Sequence, residues 1–439
     1  MQKELISSKQ AISIIILFIF GSSVVFGANK TAGQDSWISI ITATAMAVPI
    51  VLVYARIIAL FPETDIYDII NTLFGKIIGK FLIILITWYA LHLGSLVLYN
   101  FASFTQISTM KETPQIPIMI IMLMVTTYLA ISGVETFAKW SIIALPIVIL
   151  IVIFTIILSI KSMHFSNFLP IMEHDPEIIL KGASQTFAFP YAETVMFLTL
   201  GYSLKKGSNP YRVYLIALLF GALILLVIFI RNLSVMGTQM MEISYFPSYV
   251  EARLISIGDF LERIEGTITY NFVLAGIVKI TVCLIAAAKG IANIFNTDNY
   301  RYILLPTSLI ILAVSATLYS NIVESVNFIN IYPIYALPFQ VLVPLIIWVW
   351  AEIKTRRGKK QLISTEGNNT ENNQDSNKND NQDSNQNNNE DINKDSTKNI
   401  NNDNDKSSDN ETNKYDSNNE NTKNRSKYQA ESQSSKPNE

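Results

Sequence analysis

The sequence predicts an all-α integral membrane protein of ten transmembrane helices, built as a 5+5 inverted repeat with helices 1 and 6 broken. Three observations predict it. Ten apolar stretches fill about the first 350 residues. Two of them, five spans apart, are interrupted: the first by Gly21-Ser22-Ser23, with Gly27 beyond, and the sixth by Pro190 within Phe187-Ala188-Phe189-Pro190-Tyr191-Ala192-Glu193. Interrupted hydrophobic segments at matching positions of two halves mark transporter-like folds whose ligands bind at the breaks, near the bilayer midplane. Lastly, the Lys and Arg residues divide unevenly between the two sides, 16 against 7.

A hydrocarbon core of about 30 Å takes roughly 20 apolar residues per helix. That places the spans at 9–28, 36–60, 81–104, 116–133, 138–160, 182–201, 211–231, 267–288, 301–319 and 329–352. The first has the charged start and small-residue end of a cleaved signal peptide. A second long stretch follows within ten residues, so a retained helix is expected. The charge count puts both termini in the cytoplasm, with Lys3, Arg56, Lys76, Lys139, Lys205 and the Lys354–Lys360 cluster inside. The outer set is Lys30, Lys111, Lys161, Lys181, Arg231, Arg253 and Arg263.

Two amphipathic segments flank the spans. Phe61–Lys80 mixes Asp65, Asp68, Lys76 and Lys80 with Ile66, Ile69, Ile70 and Leu73, and is expected to lie along the cytoplasmic surface. Beyond the seventh span, Leu254, Ile257, Leu261 and Ile264 recur at helical spacing after Phe246-Pro247-Ser248. This outer helix packs either on its own bundle or on a partner.

The net charge of −2 hides two materials. Residues 1–360 carry 24 basic against 19 acidic residues (+5), and residues 361–439 carry 9 against 16 (−7). Asparagine makes up 23 of those last 79 residues and apolar side chains are scarce. Such a segment cannot offset its own ordering entropy. The expected domains are therefore a membrane domain, 1–358, and a disordered Asn-rich cytoplasmic tail, 359–439.

No residue pattern supports catalysis. Cys283 is the only cysteine and the three histidines are scattered. Gly75-Lys76-Ile77-Ile78-Gly79-Lys80 is one residue short of a phosphate loop and lacks its hydroxyl residue. No cofactor or metal is expected.

Binding at the breaks has a physical basis. Broken helices expose backbone groups that a membrane tolerates only against a cavity or a ligand. N–H groups following Ser22-Ser23 suit a carboxylate, and carbonyls freed around Phe187 to Phe189 suit an ammonium group. Together they fit a zwitterionic amino acid; the plainer reading is that Gly21, Gly27 and Pro190 only permit kinks or close packing. Glu193 and Lys279 are intramembrane charges, which usually face a cavity or each other. They are expected to face the interior near the first break, as a structural pair or a proton-sensitive element. Tyr99, Asn100, Thr281 and Cys283 are candidates for the side-chain pocket, and Tyr191 lies beside Pro190 in the break itself.

The segment Phe187 to Glu193, with Ala32-Gly33-Gln34-Asp35-Ser36-Trp37, Phe61-Pro62, Gly75-x-x-x-Gly79, the run Phe246-Pro247-Ser248 through Arg253 to Glu265, and Leu337-Pro338 and Pro344 before the basic cluster, resembles a known family. It is that of the spore germination permeases, the B subunits of endospore nutrient germinant receptors, within the amino acid–polyamine–organocation superfamily. The resemblance covers about residues 5–358. It implies the leucine-transporter-like fold, the inner membrane of the spore, and binding of a small germinant, typically an amino acid. It also implies an A subunit in the membrane and a C-subunit lipoprotein as partners, with the lipid bilayer as surroundings and no nucleic acid. An ion-coupled amino acid transporter and a membrane scaffold with a dead pocket are the alternatives.

Overall fold

The computed structural model describes residues 4–21, 23, 30–255 and 265–356. Ser22, Gly27, the stretch 256–264 and the tail lie outside the described residues. The elements are α1 (Ser8–Phe20), α2 (Ser36–Leu60), α3 (Ile66–Ser108), α4 (Gln115–Ile131), α5 (Val134–Ser159), α6 (Pro176–Thr186), α7 (Pro210–Ile243), α8 (Pro247–Leu254), α9 (Glu265–Ile294), α10 (Arg301–Thr317) and α11 (Ile322–Leu337). A wide turn, Phe187–Tyr191, and a tight helix, Ala192–Ser203, follow α6; a second wide turn, Pro338–Leu342, follows α11.

Local chemistry sets the helix ends. At α1, Ser7 and Gln10 form a capping box: the Gln10 N–H donates to Ser7 Oγ (3.3 Å) and the Ser7 N–H to Gln10 Oε1 (2.7 Å). The helix stops at Gly21, which leaves helical geometry (φ 12°, ψ −122°). Asp65 caps α3 through the Tyr67 N–H (3.0 Å), and Asn209 caps α7 through Tyr211 (3.0 Å), with Pro210 just inside.

Among the described residues, six helices are long and apolar enough to cross a membrane, and α1, α4 and α10 are shorter apolar helices. Within the segment 61–80, residues 66–74 form a helical piece that turns sharply into the rest of α3 at Gly75 (φ 75°, ψ −173°). Ile69 and Ile70 are buried there, so the apolar face of this segment packs into the bundle. Helix α7 likewise continues beyond residue 231 to Ile243, across Gly237. Arg231, counted with the outer loops, is therefore helical and buried.

Helix α9 forms the centre. Its apolar window is 89% buried, against 28% for that of α5, which leaves much of its apolar surface exposed. Apolar side chains all round suit a helix enclosed on every side. It lies along α3 so closely that a Cβ on Gly290 would stand 1.9 Å from Thr87 Oγ1 and 3.0 Å from its Cβ. Gly290→Ala should cost about 1–3 kcal/mol by overpacking. Thermal unfolding of the purified protein measures it, and adding Thr87→Ala should recover most of the loss.

Of the amphipathic segment beyond the seventh span, Ile257, Leu261 and Ile264 lie outside the described residues; its first part, α8, meets α3. Phe104 of α3 meets Phe246 and Tyr249 edge-on, at 5.1 and 5.7 Å, and Tyr249 Oη donates to the Ser108 carbonyl (2.9 Å). Beneath α8 lies a buried polar network. Arg231 Nε stands 3.1 Å from Glu251 Oε2, Arg231 Nη1 donates to Thr155 Oγ1 (2.7 Å), and Asn232 Nδ2 donates to Ser248 Oγ (3.0 Å). Ser159 Oγ completes it by donating to Glu251.

Candidate functional site

The sixth apolar stretch loses helical form where proline dictates. Pro190 has no N–H to give, and its ring disfavours helical geometry for the residue before it. Phe189 accordingly sits extended, at φ −135° and ψ 105°. The helix resumes tightly wound from Ala192, which brings Glu193, fully buried, to the start of the second piece.

From the opposite side α9 delivers Lys279, also fully buried. Its ammonium donates to Glu193 Oε2. The same ammonium lies over two rings, 4.8 Å from the centre of Phe189 and 5.1 Å from that of Phe18. The Lys279 stem runs against Gly21, where an added Cβ would stand 2.8 Å from Cδ. Gly21 thus gives Lys279 room to pass the end of α1. One ion pair thus joins the end of α1 to the turn at Pro190.

The other carboxylate oxygen is held by a relay. Tyr332 Oη donates to Glu193 Oε1 (2.5 Å), so the Tyr89 hydroxyl, 3.0 Å away, donates to Tyr332. Tyr89 accepts in turn from Gln340 Nε2 (2.7 Å), whose second hydrogen goes to the Ala188 carbonyl (2.8 Å). Tyr54 Oη donates to the Gln340 (2.5 Å) and Ala192 (3.2 Å) carbonyls. Two carbonyls of the break are thereby matched from inside the chain: Ala188 by Gln340, and Phe187 by the Ala192 N–H. Tyr332→Phe should destabilise the protein by about 1.5–3 kcal/mol, the range for a hydrogen bond to a charged partner. A melting curve unchanged by that substitution would show the relay to be slack.

Beside the pair lies a cavity of about 40 Å³, between α3, the sixth stretch and α11. Leu93, Leu96, Val97, Phe328 and Ile329 make it apolar, Phe189, Glu193 and Tyr332 form one end, and Asn100 with Ser325 (3.1 Å) the other. That is room for a few water-sized groups. A second, wider cavity of about 1000 Å³ opens at the end of the bundle that holds Glu4 and Asp65. Lys289 is buried in its wall, donates to Asp65 Oδ2 (2.8 Å) and the Thr199 carbonyl (3.0 Å), and lies 3.5 Å from the centre of the Tyr202 ring.

Of the residues singled out in the sequence, Gly21, Phe189, Glu193 and Lys279 meet at one point. Pro190 is buried in the same turn. Tyr191 points toward α2, where its hydroxyl accepts from Thr44 Oγ1 (3.3 Å). Phe187 is half-buried against the apolar core. Ser23 is buried, its hydroxyl without a partner among the described residues. Tyr99 packs edge-on against Tyr319 (5.1 Å), a cavity residue, while Cys283 is buried where α9 crosses Gly94 of α3. Thr281 bonds back to Ile277 on its own helix. Sequence reasoning missed Tyr89, Tyr332, Gln340 and Tyr54; the usable signal was Gln340, a polar residue in an apolar span. Among the described residues, no group of three or more His, Cys, Asp or Glu could hold a metal ion.

The family model described as "Spore germination protein" matches residues 5–348. The chain is 25% identical over 365 residues to spore germination protein KB of Bacillus subtilis, covering 82% of this chain and 98% of that one. It is 24% identical over 259 residues to spore germination protein XB of Bacillus anthracis, covering 58% and 70%. Among solved structures it resembles Mhp1, a nucleobase-cation-symport-1 family transporter with bromovinylhydantoin bound. The TM-score is 0.61 at 10% identity, over 78% of each chain. It also resembles MhsT in complex with L-phenylalanine, with a TM-score of 0.59 at 13% identity, over 79% and 89%. The shared fold is that of the leucine-transporter group.

Proposed function

The chain belongs to the spore germination protein family, and from that premise we propose that this multi-pass membrane protein is the B subunit of a nutrient germinant receptor. It binds a small amino-acid-like germinant between broken helices 1 and 6 of a ten-helix bundle. One observation carries this reading: the fully buried Glu193–Lys279 ion pair, packed on Gly21 and Phe189 where the two interruptions meet. A buried ion pair is poor evidence for stability. Placed at broken helices in a membrane, it is a mark of function.

The ligand site takes in Gly21, Ser22, Ser23, Gly27, Phe187, Phe189, Pro190, Tyr191, Glu193 and Lys279, with Tyr99 and Cys283 along the side-chain pocket. Binding works by a shift of populations: the germinant binds one arrangement of the bundle better than the other, as any ligand that moves an equilibrium must. The favoured arrangement is read by the A subunit in the membrane, with the C-subunit lipoprotein as third member. The protein sits in the inner membrane of the spore with both termini cytoplasmic.

The test is dipicolinic acid release from spores lacking this protein, across single amino acids, beside intact spores. Selective loss of the response to one or a few amino acids is expected. The fold shared with Mhp1 supports a second reading, an ion-coupled amino acid transporter. Ion-driven uptake into vesicles favours that reading, and saturable binding without net flux favours the receptor.

A further inference from the structure

The cavity beside the break has a single charged wall. Of its eleven lining residues only Glu193 carries a charge. Lys279 lies directly behind that carboxylate, its ammonium covered by the Phe18 and Phe189 rings. The rest of the lining is apolar or aromatic, up to the Asn100–Ser325 pair at the far end.

This arrangement has a particular charge economy. Glu193 and Lys279 together are neutral, and both are shut away from water. A ligand with one net charge would leave the buried site charged, which is expensive. A zwitterion would not. We propose that a zwitterionic amino acid inserts into this ion pair with the partners exchanged: its ammonium on Glu193, its carboxylate on Lys279, and a small apolar side chain in the cavity. Lys279 gives up one carboxylate and takes another, so each buried charge stays matched. The proposal rests on the amino-acid reading above and deepens it by assigning each end of the ligand. It also makes the resident lysine the cation of the site.

The exchange is tested by binding to the full chain in lipid nanodiscs. The probes are L-alanine, L-valine and L-leucine, each beside its decarboxylated amine and its deaminated acid. The wild type should bind at least one amino acid and bind its amine and acid more weakly, on the order of tenfold to a hundredfold. Removing one charge should invert the preference. Lys279→Met, which leaves Glu193, should gain the amine; Glu193→Gln, which leaves Lys279, should gain the acid. The neutral double variant Glu193→Gln/Lys279→Met keeps the packing without either buried charge and should lose the amino acid by a similar factor. An amino acid bound equally well by the double variant would overturn the exchange and leave a structural pair, with the receptor reading intact. Failure of every amino acid to bind the wild type would overturn the amino-acid reading itself.

Discussion

Lys279→Met will lower the stability of the purified protein by about 3–5 kcal/mol, the usual cost of leaving one member of a buried ion pair without the other. The carboxylate of Glu193 would keep its bond from Tyr332 but lose its counter-charge in a site closed to water. Adding Glu193→Gln should recover most of that loss, because replacing both charges of a buried pair is often neutral. Denaturation of wild type, both single variants and the double variant gives the coupling directly. Losses that simply add would mean that the two charges act independently, despite their contact.

The Arg231–Glu251 pair beneath α8 should show an effect of similar size with a pH dependence of its own. Burial pushes the Glu251 carboxyl above its usual range, against the opposing pull of Arg231 and of the Ser159 hydroxyl. Arg231→Met removes the strongest opposing influence, so the carboxyl rises further and takes up a proton at a higher pH. At neutral pH the variant should lose about 3–5 kcal/mol. The sign follows from linkage. A carboxyl whose folded value lies above its unfolded one favours the fold below the unfolded value, and loses that contribution as pH rises through the folded value. The defect should therefore shrink as pH falls toward the ordinary carboxylate range and grow as pH rises above it. Unfolding midpoints across that range measure it; a defect independent of pH would mean that Glu251 is not left charged. Protease sensitivity near Ser244–Ile255 should rise with the defect, since α8 is docked through this network.

The end of α1 and the turn at Pro190 were legible because glycine and proline act locally. Gly21 ends α1 and Pro190 forces Phe189 out of the helix, whatever surrounds them. Glu193 and Lys279 stood out as charges in apolar stretches. Their direct contact did not, for they are 86 residues apart and α9 is apolar on every side, so no periodicity points Lys279 toward a neighbour. Arg231 was misread for a related reason. A charge near the end of an apolar run counts as a loop residue unless a buried partner is known, and Glu251 lies in a segment that reads as surface helix. The tyrosines of the relay carry no signal in sequence, because a tyrosine among isoleucines and phenylalanines looks like packing until its hydroxyl meets an acceptor.

The relay that ends on Glu193 also makes the unwound turn a caliper. Gln340 and Tyr332 hang from α11 and its following turn, Tyr89 from α3, and the chain closes back on the sixth stretch at Ala188 and Glu193. These contacts span 2.5 to 3.0 Å, and such bonds are largely gone when stretched by about half an ångström. Were α3 and α11 to part by that much, one link would open and leave a buried polar atom bare, at a cost of about 1–3 kcal/mol. The distance between two helices is in this way converted from a continuous quantity into a yes-or-no state of a single carboxylate.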